Sequence, residues 1–246
     1  MNQLNHIAII PDGNRRWAEK RRMPFFFGHR EGAKTAEKIL KIALEEKIPY
    51  ITFWGCSVNN VVKRPKLETS FLFKLFEQHF KNIIKDKEIH KNKVKINVFG
   101  RWEEFFPKGV KLAIRKAIDV TKEYENLHLN FLLAYSGVDE MTEAIEKISK
   151  SNLSHSSTGG GGLNSKLTIN EKLIKNNLWT KDLPPIDLII RTGEAPNWFH
   201  WSDGFMMWDV ANAQIYSTET LWPDFSAEEF KKVVGKFKSV ERRMGE

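Results

Sequence analysis

The sequence predicts an α/β fold: a central, mostly parallel sheet flanked by helices. Three observations predict it. Short β-rich apolar runs recur at 6–10, 49–56, 94–99, 127–135 and 186–191. Segments with helical periodicity fill the intervals, at 31–47, 67–86, 107–124, 138–150, 169–177 and 226–243. The 246 residues, 41% of them hydrophobic, suffice for one large domain with a sizeable core. Strands alternating with helices build βαβ units, whose crossovers make the strands parallel and cover both sheet faces. Ligands in such folds bind beyond the carboxyl ends of the strands.

The first run, Ile7–Ile10, stops at Pro11 and opens into Asp12, Gly13, Asn14, Arg15 and Arg16, with a helix-like segment from Trp17 to Arg22. A strand that breaks into a polar turn and then a helix gathers free backbone N–H groups and the positive helix end at one spot, which suits a diphosphate. Two arginines there add bidentate phosphate contacts. Asp12 would repel that phosphate unless a divalent cation lay between them, so the trio implies Mg²⁺. An ordinary βα turn, with Asp12 as a helix cap and a solvated basic helix start, is the plainer alternative. The second run ends at Ser57 and the fifth at Arg191, so Asp12, Ser57 and Arg191 share the edge where this fold class places a site.

In the helix over 67–86, Phe71, Leu72, Leu75, Phe76, Phe80, Ile83 and Ile84 recur at three- and four-residue steps and form one wide apolar face. Burial in the core is its simplest explanation. Residues 149–165, rich in Ser and Asn and holding Gly159–Gly162, predict a flexible surface loop inside a single domain spanning 1–246.

Composition narrows the partners. Seventeen Phe and eight Trp mean that something bulky and apolar is packed or bound. A net charge of +8 and a pI of about 9.4 fit nucleic acid, anionic lipid headgroups or polyanionic small substrates. No zinc-finger or RNA-recognition spacing accompanies the basicity, so nucleic acid is not expected as a partner. Many lysines lie on helix faces (Lys34, Lys38, Lys41; Lys108, Lys111, Lys116), where solvation explains them. The single cysteine, Cys56, excludes an internal disulfide and fits a reducing compartment. With neither a long apolar window nor a secretion-like leader, the cytoplasm is the expected location.

Five segments, in order, extend the argument: Ile10-Pro-Asp-Gly-Asn-Arg-Arg-Trp-Ala18; Phe27-Gly-His29 with Gly32-Ala33; Ser57 to Pro65; Asp187-Leu-Ile-Ile-Arg-Thr-Gly193; and Trp222-Pro-Asp-Phe225 with Glu241-Arg-Arg243. Together they resemble the signatures of the cis-prenyltransferases, the undecaprenyl diphosphate synthase family. The resemblance implies an apolar tunnel and a Mg²⁺-dependent condensation of isopentenyl diphosphate with an allylic prenyl diphosphate, giving a cis-polyprenyl diphosphate used as a lipid carrier precursor. It implies a homodimer, with 241–243 near its interface, and peripheral contact with a membrane, since the product is a lipid.

Carried over residue by residue, the resemblance makes Asp12 the catalytic carboxylate linked to Mg²⁺. Gly13, Asn14, Arg15 and Arg16 would cradle the allylic diphosphate, His29 would hydrogen-bond it, and Trp17 would pack its prenyl portion. Ser57, Asn59 and Arg64 fall where the family has substrate contacts, and Asn60 where a group assists proton loss. Arg191 would bind the second diphosphate, and Ser202 would stand in for a serine beside it. Phe71, Phe73, Phe76 and Phe80 would narrow or floor the tunnel and favour a shorter product. On their residue types alone, His29 reads as a turn residue, Trp17 as a buried helix aromatic and Arg191 as half of a strand-end ion pair.

The chain departs from the family pattern, mostly on the second-substrate side. Phe25 replaces an arginine, and the second signature lacks its glutamate and tryptophan and is one residue longer. The stretch from Glu194 to Gly204 is extended, and Gln214 replaces a carboxylate. Within the extension, Glu194, Asn197, His200 and Asp203 offer new metal or phosphate ligands. Chain elongation is the first expectation. The alternative is an enzyme that ionises one prenyl diphosphate and cyclises it or passes it to another acceptor. A non-catalytic accessory subunit ranks last, because the Asp-Gly-Asn signature is whole.

Overall fold

The computed structural model describes residues 3–157, 168–195 and 200–239. Its sheet has six strands: β1 (His6–Ile10), β2 (Tyr50–Ser57), β3 (Val94–Phe99), β4 (Leu127–Tyr135), β5 (Leu188–Arg191) and β6 (Gln214–Ser217). They lie in the order β3-β4-β2-β1-β5-β6 and every neighbouring pair is parallel. The five apolar runs are the first five strands. The sequence pattern missed β6, because a four-residue edge strand that is nowhere fully buried has no apolar run to show.

The chain enters at β1 in the middle of the sheet, moves to β2 on one side and later returns to β5 on the other. The turn after β1 therefore sits where the strand order reverses, the place at which open α/β sheets form their crevice. Residues along β1 alternate between two cores. Ile7 and Ile9 join Ile39, Ile42, Phe80, Ile114 and Phe230 on one face, whereas Ala8 and Ile10 join Trp54, Tyr135, Leu183 and Phe205 on the other.

Two helices form the site's wall: α2 (Phe25–Glu45) and α4 (Lys66–Ile83), with α1 (Asn14–Lys20) and α3 (Val58–Lys63) at their near end and α5 (Lys87–Lys91) at the far end. Beyond them lie α6 (Trp102–Phe105), α7 (Lys108–Thr121), α8 (Gly137–Ser157), α9 (Glu171–Lys175) and α10 (Ala227–Ser239). Helix α2 begins six residues before its apolar periodicity does: Pro24 ends the preceding turn at φ −56°, and the Phe25 and Phe26 rings pack against Phe71 of α4. The loop expected over 149–165 is corrected at its start, since α8 runs through Ser157. Its middle turns carry Lys147–Glu143 and Lys150–Glu146 pairs at i,i+4 spacing, which support the helix up to the start of that segment. The glycines 159–162 lie outside the described residues.

A buried polar ladder crosses the sheet beneath the site. Asn97 Nδ2 donates to Asn130 Oδ1 at 2.9 Å, and Asn130 Nδ2 donates to Thr52 Oγ1 at 3.1 Å. His6 ends the row. Its Nδ1 faces the Pro184 carbonyl at 2.9 Å and so carries the proton, leaving Nε2 to accept from the Thr52 hydroxyl at 2.8 Å. Burial lowers the His6 pKa from 6.5 to about 4, so the folded chain holds the ring neutral over a range in which the unfolded chain protonates it. Stability is therefore expected to fall as the pH drops from about 6.5 to about 4, by roughly 3 kcal/mol from this residue. Denaturant titrations of the parent and of His6→Gln should show the parent's steeper acid slope; equal slopes would exclude it.

Candidate active site

Three of the predicted motifs meet at the backbone of Asp12. Its N–H donates to Thr192 Oγ1 at 3.0 Å, and the Thr192 hydroxyl lies 2.9 Å from the Asp12 carbonyl. That carbonyl also accepts from Trp222 N–H at 2.9 Å. Gly193, at φ +70°, leaves the room this packing needs: a Cβ there would lie 2.9 Å from the Asp12 carbonyl oxygen and 2.6 Å from Arg16 Nη2. Gly13, at φ +110°, begins α1 with no side chain capping it, and Leu221 closes over its Cα. The turn after β1 is thus clamped from β5 on one side and from the 3-10 turn Trp222–Asp224 on the other.

The Asp12 carboxylate is half exposed and faces guanidinium groups. Arg16 Nη2 lies 3.2 Å and Arg191 Nη2 3.5 Å from Oδ2. Arg191 is buried at the end of β5, donates from Nη1 to Ser202 Oγ at 2.6 Å and is ion-paired with Glu194. The His200 ring lies against its Nη2 at 3.3–3.4 Å, and His200 Nδ1 is 2.8 Å from Glu194 Oε1. Arg191 thus lines the cavity while paired at the strand end with a residue of the extended segment.

A second cluster forms around Glu68, which sequence reasoning missed. It is buried at the start of α4, with His29 Nε2 at 3.2 Å, Arg64 Nε at 3.8 Å and Arg15 Nη1 at 3.8 Å. Burial pushes its pKa up, but His29, Arg64 and Arg15 outweigh that and hold its carboxyl below the ordinary value. The carboxylate thereby fixes at one point His29 of α2, Arg15 of α1 and Arg64 at the end of α3. Its sequence signal was a lone acid four residues after Arg64 on an otherwise apolar helix face.

Between the clusters opens a cavity of about 630 Å³. Asp12, Asn14, His29, Asn60, Arg64, Arg191 and Ser202 line its mouth, as do His200 and Asp203. Its walls are Ala33, Ala36 and Leu40 of α2, Leu72, Leu75, Phe76 and Phe80 of α4, and Phe53, Leu129 and Phe131 of the sheet. At the far end Glu37 pairs with His79 at 3.5 Å, and Asn82 and Asp86 also line the cavity. The apolar face of the 67–86 helix is therefore split. Phe76 and Phe80 line the cavity, whereas Phe71 packs on Phe25, Phe26 and His29, and Phe73 on Phe106. Phe25, at the position expected of an arginine, packs edge-on to His29 and Phe71.

Several of the expected site residues have partners that a sequence does not display. Trp17 does not line the cavity: Nε1 donates to Asp224 Oδ1 at 2.7 Å and Arg21 stacks on its ring at 4.1 Å. Ser57 is buried as the cap of α3, its Oγ accepting from Asn60 N–H at 3.1 Å, while Asn60 Oδ1 accepts from Ser57 N–H at 3.2 Å. Asn60 thus presents its amide nitrogen, a donor, and its carbonyl oxygen is committed. Asn59 donates to Asp203 Oδ1 at 3.1 Å and lies outside the cavity lining. Gln214 starts β6 opposite Leu188, three residues before the Arg191–Ser217 pairing, at the other edge of the sheet. Asn197 and residues 241–243 lie outside the described residues.

The residues suit Mg²⁺ held by few protein ligands. Among the described residues no cluster of three metal-ligating side chains exists, so Asp12 would bind the ion with phosphate oxygens and water, as Mg²⁺ commonly binds. Asn14 Oδ1, buried against Gly32 without a donor among the described residues, could accept from such a water.

Comparisons with known proteins show what the chain is similar to. The family model for putative undecaprenyl diphosphate synthase matches residues 10–245. A tritrans,polycis-undecaprenyl-diphosphate synthase (geranylgeranyl-diphosphate specific) of Pyrococcus horikoshii is 35% identical over 240 residues, 98% of this chain and 86% of that protein. A ditrans,polycis-undecaprenyl-diphosphate synthase ((2E,6E)-farnesyl-diphosphate specific) of Coxiella burnetii is 35% identical over 98% of this chain and 95% of its own. Among solved structures, lavandulyl diphosphate synthase from Lavandula x intermedia in complex with dimethylallyl diphosphate superposes with a TM-score of 0.86, at 25% identity over 98% of both chains. A probable undecaprenyl diphosphate synthase from Campylobacter jejuni superposes at 0.76, with 28% identity over 100% of both.

Proposed function

The chain belongs to the undecaprenyl diphosphate synthase family, and on that footing we propose that it joins isopentenyl diphosphate to an allylic prenyl diphosphate, lengthening a cis-polyprenyl diphosphate. The observation that carries this reading is one cavity with a charged mouth at Asp12 and Arg191 and an apolar barrel between α2 and α4. A diphosphate with an isoprenoid tail matches both halves.

In the reaction the allylic carbon–oxygen bond breaks, a carbon–carbon bond forms and one proton is lost. Arg16 supplies fixed positive charge where the departing diphosphate gathers negative charge, Arg191 supplies it for the second diphosphate, Arg64 extends that charge along the mouth, and His29 offers a hydrogen bond there. Asn60 and Asn14 orient phosphate oxygens by donating amide hydrogens. The walls formed by Phe53, Phe76 and Phe80 keep water from the cationic allyl group and receive the tail. Mg²⁺, held through Asp12, would neutralise the leaving diphosphate. A homodimer in the cytoplasm belongs to the same reading and rests on family resemblance. Among the described residues no helix is long and apolar enough to cross a membrane.

A second reading, transfer to an acceptor other than isopentenyl diphosphate, is favoured by one observation: Glu194 occupies Arg191, which the first reading needs for the second diphosphate. Incubating the protein with farnesyl diphosphate, radiolabelled isopentenyl diphosphate and Mg²⁺ separates the two. Label in a longer prenyl diphosphate is expected; unlabelled terpene or alcohol would establish the second reading.

A further inference from the structure

We infer that Glu140, Thr180 and Asp209 share one buried proton, and that this proton holds the Ser202–Asp203 turn in place at the cavity mouth, so that the mouth loosens as the pH rises. The inference comes from counting hydrogens. Thr180 Oγ1 lies 2.9 Å from Glu140 Oε1 and 3.2 Å from Asp209 Oδ2, but a hydroxyl has one hydrogen to donate. The remaining contacts are supplied by others. Glu140 Oε2 accepts from the Tyr135 hydroxyl, Glu140 Oε1 also accepts from Thr180 N–H at 2.8 Å, and Asp209 Oδ1 accepts from Lys175 Nζ. With both carboxyls ionised, one of the two contacts at the Thr180 hydroxyl has no hydrogen in it, a costly state for buried oxygens. With Asp209 protonated the row closes: Oδ2–H donates to Thr180 Oγ1, whose own hydrogen goes to Glu140 Oε1.

The charges agree with that count. Glu140, Thr180, Asp209 and Tyr135 are all buried. Among the described residues, the titratable groups facing Asp209 are Lys175 of α9, Glu140 of α8 and Tyr135 of β4. Two carboxyls therefore share one cation, and a surplus negative charge would lie in the interior unless a proton cancelled it. Burial, joined by the Glu140 charge, holds the Asp209 carboxyl above its ordinary value against the pull of Lys175 and Thr180. Asp209 also belongs to the stretch of chain that forms the mouth. Overlapping turns lead to it from Ser202: Phe205 N–H donates to the Ser202 carbonyl at 2.8 Å, Met207 N–H to that of Gly204 at 3.1 Å, and Asp209 N–H to that of Met206 at 2.8 Å. Asp203 and Met206 take left-handed φ values of +44° and +39°, which persist only where the surroundings hold them. Helix α8 grips the stretch twice, at Gly137 against the Gly204 carbonyl and, one turn on, at Glu140. At the other end of the stretch Ser202 accepts from Arg191 and Asp203 from Asn59. Glu140, Thr180 and Asp209 are thus positioning residues, which act through this turn rather than on the reacting atoms.

The test compares the full-length parent with Asp209→Asn, which supplies an amide hydrogen where the proton lies and cannot ionise. The folded parent keeps a proton that the unfolded chain releases near pH 3.9, so its stability falls as the pH rises until Asp209 ionises in the folded chain. The melting temperature of Asp209→Asn should therefore gain on the parent's by about 3–5 °C per pH unit over that interval and then level off. Taking the difference between the two chains cancels the opposite slope from His6. In the parent alone, carbon-13 resonances of the carboxyls should show Asp209 titrating above the ordinary aspartate range. Calorimetric binding of inorganic diphosphate reports on the mouth: above the pH at which Asp209 ionises, the parent should bind about fivefold more weakly than Asp209→Asn, and below it equally. None of these readouts needs turnover, so they stand apart from the success or failure of the proposed reaction. A melting difference that does not change with pH, an Asp209→Asn chain less stable than the parent at every pH, or an Asp209 carboxyl that titrates in the ordinary range would overturn the shared proton. Diphosphate affinities that stay equal across the titration would overturn its hold on the mouth.

Discussion

Asp12→Ala is expected to lower turnover by about 10²–10³-fold while leaving the affinity for the allylic diphosphate equal or higher. The geometry fixes both signs. Arg16 Nη2 and Arg191 Nη2 lie 3.2 and 3.5 Å from Asp12 Oδ2, so the carboxylate is the negative partner of two guanidiniums at the mouth. Removing it takes away the carboxylate that faces Arg16 and Arg191, so ground-state binding of a diphosphate loses nothing to repulsion. What is lost is the group through which a divalent ion would reach the leaving oxygens, a contribution made in the transition state. Asp12→Asn, which keeps the shape, should behave similarly. Single-turnover rates and direct titration with farnesyl diphosphate separate the effects. Equal losses of binding and rate would contradict the role given to Asp12, as would a variant that turns over normally.

Gly28→Ala should be among the most destabilising single-methyl changes in the site's scaffold. The added Cβ would overlap the Asn14 carbonyl oxygen and lie 2.8 Å from its carbonyl carbon, both backbone atoms that no rotamer change can move aside. Helices α1 and α2 must separate, at a cost of roughly 3 kcal/mol or more. In a chain of this size that lowers the melting temperature by about 6–12 °C. Asn14 begins α1 two residues after Asp12, so a shift of about 1 Å there should also cut turnover by about a hundredfold in molecules that remain folded. Gly235→Ala is the control. Nothing lies within 4 Å of its added Cβ, in mid-α10, and the exchange should be neutral or stabilising by up to about 1 kcal/mol. Calorimetry on the two variants decides whether the close approach at Gly28, rather than a general intolerance of added methyls, holds α1 in place.

How far the sequence could be read depended on the range of the interactions that set each feature. Strand β1 and its turn were legible because apolar run, Pro11 and polar residues are contiguous and signal the break locally. The register of Arg191 beside Asp12 was legible only as a shared strand edge; what joins them is Thr192, whose hydroxyl reaches Asp12 across 180 residues of chain. The hydrogen bonds of Trp17 and Asn59 were not legible for the same reason, since their partners, Asp224 and Asp203, come from distant segments. Glu68 was hidden by the apolar periodicity around it, although that burial gives its contacts with His29, Arg15 and Arg64 their strength. Strand β6 escaped because its four residues bury too little to leave an apolar pattern. Phe71, Phe73, Phe76 and Phe80 share one helix face by periodicity, yet only neighbouring helices decide that Phe76 and Phe80 face the cavity and the other two do not. Helical periodicity reports burial and is silent on whether the buried face meets side chains or a ligand.

The most direct measurement is a crystal structure with the unreactive farnesyl thiolodiphosphate and Mg²⁺. The diphosphate should lie at the mouth, within hydrogen-bonding reach of Arg16 and Asn14 and joined through the ion to Asp12, with the prenyl tail running between α2 and α4 past Phe76 towards Phe80. A diphosphate held on surface lysines, with the Asp12 carboxylate still closed on its two arginines and the cavity free of tail density, would contradict the account.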